Sequence, residues 1–204
     1  MNSILSRFAL AVSLGSVLWA APQTFDFKDP KGVNNAVFKL DAPLEAINGS
    51  ASGISGSVTF DPANPAATTG KLVVAANSLH VPNPVMKEHL HGEQWLDVAK
   101  FPELTFEAKS LTDVKTAGNT TTAQLNGSFT AHGVTKELVV PVKLTYLKDK
   151  LGARTGGQMN GDLLVIRAEF RILRSDFGIN PKAPEDKVAN EIDLTLSVAG
   201  ASPR

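Results

Sequence analysis

Apolar side chains return at every second position, run after run, over most of this chain. Ile54, Gly56, Val58 and Phe60 alternate with serine and threonine, and Leu72, Val74 and Ala76 follow. Leu104, Phe106 and Ala108 come next, then Leu125, Gly127, Phe129 and Ala131. The series goes on through Leu138, Val140, Val142, Leu144 and Tyr146, then Leu164, Ile166, Ala168, Phe170 and Ile172, and closes with Ile192, Leu194, Leu196 and Val198. Period two is the signature of a strand with one dry face. With shorter candidates at 24–29 and 37–41, the chain has about eight or nine strands. Turn chemistry links them: Asp61-Pro62, Gly118-Asn119, His132-Gly133 and Gly156-Gly157. Pro141 interrupts one run and predicts a bulge or an unpaired stretch there. Short links and one apolar face mean an antiparallel meander. A flat sheet of this size would expose too much apolar surface, so it must close. The expectation is an all-β fold: an eight-stranded antiparallel barrel with a short helical insert, about 84–99, at one mouth.

Such a barrel is either just filled by its own side chains or holds one small ligand. Ala76, Ala108, Gly127, Ala131 and Ala168 are small inward residues, which favours a dry, elongated lumen over mere fitting of a taper. The lumen and its lid are expected to be lined by Val58, Phe60, Leu72, Val74, Met86, Leu90, Trp95, Leu104, Phe106, Leu125, Phe129, Val140, Val142, Leu144, Ile166, Ala168, Phe170, Leu194 and Leu196. Asn83-Pro84 reads as a cap and first helical position, with Gly92 as the stop, so Pro84–His91 is predicted to be a two-turn helix. The chain then continues through Trp95 and Leu96 to Phe101-Pro102, which forces extended backbone. Val85, Met86, Leu90, Trp95 and Leu96 would face the cavity entrance as a plug or lid.

The pair His89 and His91 raises the question of a metal. Two residues apart on a helix they point about 200° away from each other. His89 falls with Val85 and Met86 on the apolar side, and His91 with Lys87 on the wet side. Zinc needs three or four ligands with compatible spacing, and the chain has four histidines and no cysteine. No metal site is expected. Nucleophile elbows, phosphate loops and dinucleotide fingerprints are missing from the sequence.

Residues 1–20 differ from the rest: one charge, Arg7, then a mostly apolar run over 8–20 and small residues at Ala20-Ala21. This reads as a cleavable signal peptide, leaving a single domain over 21–204 and a periplasmic or secreted protein. A net charge of zero argues against nucleic acid as a partner. Without cysteine no disulfide can staple the fold, so sheet pairing and apolar burial must hold it.

Three stretches carry a resemblance: MKEHLHGEQWLDVAKFPELTFEAKSL, LNGSFTAHGVTKELVVPVKL and RILRSDFGI. Together, in this order, they resemble the YceI-like family of polyisoprenoid-binding, lipocalin-like proteins. His89, Asp97, Pro102 and Phe106 match its first block. His132, Gly133, Thr135 and Lys136 match the second, and Arg174, Ser175, Asp176, Phe177 and Gly178 the third. The resemblance implies an exported eight-stranded barrel that binds a long-tailed amphiphile in its lumen, and no catalysis. Two departures bear on the head-group end. The stretch from Asp29 to Asn35 lacks the Asp-x-x-His-Ser start common in the family, and His91 stands where arginine is common.

The function expected is therefore carriage or storage of a polyisoprenoid or fatty-acyl lipid, with Lys87, His89, Arg174 and Asp176 at the head-group mouth and no cofactor besides the lipid. Transient contact with a membrane or a membrane redox protein and a homodimer through edge strands stay open as partners. Three alternatives stay open: a lipid-modifying enzyme using His89 with Asp97 or Asp176, a ligand-free interaction module, and axial coordination of a haem by His89 or His132.

Overall fold

A computed structural model describes residues 21–204. The segment read as a signal peptide lies outside the described residues. Eleven strands form one continuous antiparallel sheet. They are β1 (Gln23–Asp26), β2 (Asn35–Asp41), β3 (Ala46–Ala51), β4 (Ile54–Phe60), β5 (Thr69–Ala75), β6 (Leu79–His80), β7 (Glu103–Ala117), β8 (Thr120–Ala131), β9 (Val134–Leu147), β10 (Gly161–Leu173) and β11 (Glu191–Pro203). Two helices interrupt them, α1 (Pro84–His91) and α2 (Leu151–Thr155).

The eleven strands make eight staves, because three pairs run end to end. β1 and β2 both lie along β11, with Asp26 opposite Ala201 and Val37 opposite Thr195. β3 and β4 pair in turn with β2 and β1, and β5 and β6 with β4 and β3. The remaining staves are β7 to β11. Pairing of β1 with β11 closes the wall, so this is a closed eight-stranded antiparallel barrel, as the alternation requires.

The breaks in the staves have local causes. Between β1 and β2, Asp29 accepts from the backbone N–H groups of Lys31, Val33 and Asn34. The buried Asn34 side chain donates to the carbonyls of Phe27 and Ala199 and accepts from Ala199 N–H. Its amide replaces the ladder bonds that this stretch cannot make. β3 carries no period-two signal, since Ala46–Ala51 reads AINGSA, with no apolar alternation. Its Gly49 is required by packing: a Cβ there would sit 2.1 Å from the Phe38 ring.

Pro141 acts as its position predicts. The β9–β10 ladder runs from Leu147 opposite Leu163 to Val142 opposite Ala168 and stops one residue short of the proline. Proline has no N–H to donate, so the strands part beyond it.

Two buried clusters fill the ends of the barrel. Phe25, Phe27, Phe60, Leu164 and Val198 pack one end, which Leu151 of α2 helps to cover. There Tyr146 donates to Asp162 at 2.6 Å, and Asp162 also accepts from Asp149 N–H and Arg204. The glycine-bearing segment 152–161 carries most of α2 and the turn after it at this packed end, with Gly156 in the left-handed conformation ending the helix. Phe38, Leu40, Leu79, Val81, Leu96 and Phe177 form the second cluster, at the α1 end.

Candidate functional site

A cavity of about 390 Å³ runs down the barrel from the α1 end. Its wall is built by the inward members of the alternating strands. Of the lumen and lid residues expected from sequence, all but Phe60 and the lid residue Val85 border it. Phe60 lies instead in the packed end, with its ring 6.1 Å from that of Tyr146. Alternation placed it on the inner face correctly, but it sits below the floor of the cavity.

Three phenylalanines narrow the lumen. The rings of Phe106 and Phe129 are 6.4 Å apart, Phe106 and Phe170 6.4 Å, and Phe129 and Phe170 6.3 Å. They come from β7, β8 and β10, and Phe106 can reach inward because it lies over Gly127. A Cβ at Gly127 would be 2.6 Å from the Phe106 ring. Residues on both sides of this triangle border the same cavity, including Leu79 and Val81 near the mouth and Val142 and Leu144 near the floor.

The lid differs in detail from the expectation. Asn83 caps α1 by accepting from Met86 N–H at 3.1 Å, and Pro84 occupies the first turn. The helix ends at His91; the rest of the insert to residue 99 is turns rather than helix. Met86, His89, Leu90, Trp95 and Leu96 border the lumen. Val85 does not, and is 58% exposed. On two turns of helix the inward stripe is 86, 89 and 90, which leaves 85 outside. His91 is not on the wet side: it is half-buried and its Nε2 lies 2.8 Å from the Leu79 carbonyl oxygen. The two histidines thus do separate work, one at the mouth and one tying the helix to β6. Among the described residues no three histidine, aspartate or glutamate side chains gather as a metal site would require.

Of the residues expected at the mouth, His89 and Arg174 border the cavity, whereas Lys87 does not. Asp176 faces a separate outer cleft between the parted β9 and β10, beside Lys136 and Phe177. It cannot share a site with His89 inside the lumen. Arg174 is 1% exposed. Its guanidinium donates to the carbonyls of Ile179, Asn180, Val188 and Ala189 and lies 5.8 Å from the Trp95 ring. Burial pulls its pKa below the ordinary guanidinium value, and Glu185 acts the other way. Arg174 therefore clamps the loop 178–190, which brings Ile179 and Val188 to the cavity wall.

Sequence reading missed several lining residues. Phe38 and Leu40 were legible, since 37–41 alternates. Leu79, Val81 and Glu45 were not, because β6 has two residues and Glu45 lies in a turn.

Comparison with known proteins agrees with this architecture. A family model described as the YceI-like domain matches residues 30–199. A UPF0312 protein of Yersinia pestis (strain Pestoides F) is 31% identical over 204 residues, covering 97% of this chain and 98% of that protein. Among solved structures, a Campylobacter jejuni YceI protein superposes with a TM-score of 0.64 at 18% identity, covering 98% of this chain and all of that one. A polyisoprenoid-binding domain from Saccharophagus degradans, implicated in plant cell wall breakdown, superposes with a TM-score of 0.65 at 10% identity, covering 90% of this chain and 100% of that one.

Proposed function

This chain belongs to the YceI-like family, and from that premise we propose that it is an exported binding protein which holds a long-chain apolar amphiphile, polyisoprenoid or fatty-acyl, in its lumen for carriage or storage. The observation that carries the reading is the lumen itself. Its own side chains leave about 390 Å³ unfilled, between walls of valine, leucine, isoleucine, alanine and phenylalanine. Close-packed interiors do not keep such space without cost, and apolar cavities take up apolar guests. Each methylene moved from water into this lumen contributes about 0.8 kcal/mol before the entropy of ordering the chain is set against it.

The packed floor at Phe25, Phe60 and Leu151 and the lidded mouth at α1 give the guest one orientation: tail inward, head at the rim. The N-terminal stretch 1–20, with its single arginine and apolar run, supports delivery to the periplasm or beyond. Organic extraction of the purified protein, followed by mass spectrometry, tests the reading. A co-purifying amphiphile at near one per chain is expected. Protein that is consistently lipid-free, and takes up no isoprenoid or fatty-acyl probe, would exclude it.

A further inference from the structure

The size of the lumen and the charges around it say more about the guest than that it is apolar. An engineered apolar cavity of about 150 Å³ accepts a six-carbon ring, or about 25 Å³ per carbon. On that scale 390 Å³ accommodates about 16 carbons. A tail of forty carbons would need more than twice the space. The floor below cannot yield, because Phe25, Phe27 and Phe60 are almost fully buried there. The Phe106, Phe129 and Phe170 rings pack against one another above it and fill part of the bore.

The mouth is equally restrictive about charge. Among the described residues, Glu45, His89 and Arg174 are the ionisable side chains that border the cavity, and no lysine does. Arg174 commits four N–H groups to backbone carbonyls of its own loop. Glu45 is exposed and sets a carboxylate at the rim. An anionic head would meet that carboxylate while Arg174 is held by its own loop, whereas a hydroxyl could donate to the carboxylate.

We infer that this lumen is a length gauge for a single-tailed lipid of about 16 carbons with an uncharged polar head, and that Phe106, Phe129 and Phe170 are its specificity-determining waist. This narrows the lumenal-binding reading and rests on it. The contribution of each methylene then stops where the tail meets the floor. Phe170 and Ala168 lie on the same inner face of β10 and both border the lumen. Removing the ring of one or adding bulk at the other must therefore move that stop in opposite directions.

The test is displacement of an apolar fluorophore from the full chain by primary alcohols of eight to twenty-four carbons, by the matched carboxylic acids, and by a forty-carbon polyprenol. Affinity for the alcohols is expected to rise up to about fourfold per methylene, with a break near 16 carbons. Acids should bind at least about tenfold more weakly than alcohols of equal length, and the polyprenol no better than the alcohol at the break. Phe170→Ala should move the break about six carbons longer and Ala168→Leu about three shorter. Ala168→Leu only fills existing space, so it keeps the test decisive if Phe170→Ala does not fold. An unbroken rise to twenty-four carbons, a break that neither variant moves, or equal binding of acids and alcohols would overturn the gauge while leaving lumenal binding intact. Failure of every alcohol to displace the fluorophore would remove both.

Discussion

His132 Nδ1 lies 3.1 Å from the carbonyl oxygen of Phe177, forty-five residues away. A carbonyl can only accept, so Nδ1 carries the proton. The Phe101 ring meets the same imidazole edge-on at 4.8 Å, and the Phe177 ring meets Phe129 at 5.4 Å. These contacts bring together the three sequence blocks that carry the family likeness. They form one knot beneath the mouth, where the β8–β9 turn, the end of the insert and the loop after β10 converge.

Breaking that knot should cost stability without touching the lumen wall. His132→Ala removes the donor to a half-buried carbonyl and places alanine at φ +49°, where it is disfavoured. A loss of about 2 kcal/mol is expected, and about 1 kcal/mol for His132→Asn, which tolerates that conformation. Urea denaturation of the two variants, with unchanged m-values, checks the difference.

Arg174 should tolerate neither truncation nor lysine. Leucine there would leave four carbonyls without their donor in a buried site, at a cost of about 3 kcal/mol or more. Lysine keeps the charge but cannot span Ile179, Asn180, Val188 and Ala189 at once. Both variants should melt at lower temperature than the parent. Both should also show faster amide exchange across 178–190, because the clamp acts on that loop.

Trp95 borders the lumen beside Arg174. Uptake of an apolar chain should replace water around its indole and shift its emission to the blue. Trp19 lies outside the described residues, so the assignment needs Trp95→Phe, in which the shift should vanish while binding persists.

Acid should destabilise the protein through Asp29 and Asp162, whose side chains are 3% and 1% exposed. Burial, the largest influence on each, raises the pKa. For Asp29 the N–H donors of Asn34, Lys31 and Val33 and the charge of Arg154 outweigh it. For Asp162 the Asp149 N–H, Tyr146 and Arg204 do so. Both pKa values therefore lie below the unfolded value of about 3.9. A depressed folded pKa means stability that is complete above about pH 4 and lost as pH falls through the folded value. Stability measured from pH 6 to pH 2 should drop in that window. Asp29→Asn should be weaker at pH 6 but show a shallower acid drop.

Gly200→Ala should be costly although its backbone is ordinary. A Cβ there would lie 2.6 Å from the Phe27 ring, which is wholly buried and has nowhere to move. Overpacking of this kind costs about 1–3 kcal/mol, measurable as a lower midpoint in thermal unfolding.

Most of the wall was legible because alternation reports which face a residue takes, and nearly every long strand alternates. Val140, Val142 and Leu144 show it: all three are buried, while Val139 beside them is exposed. The capped helix was legible too, since Asn83, Pro84 and Gly92 are local signals. Depth was not. Phe60 and Val58 share a face of β4, yet one lies in the packed floor and the other borders the cavity. Asp176 follows Arg174 by two residues, yet the turn after β10 sends it to the outside.

The pattern of residues alone sets a closed antiparallel wall with an apolar inside, a capped helix across one opening, and a strand ladder that stops at Pro141. These follow from the pleat, the cap and the missing proline N–H, each set by residues a few positions apart. Which end is plugged, how much space the lumen keeps, which rings meet inside it, and that Arg174 holds its own loop all come from the packing of distant staves. Those depend on stagger and tilt between staves that lie far apart in the chain, and no short-range pattern encodes them.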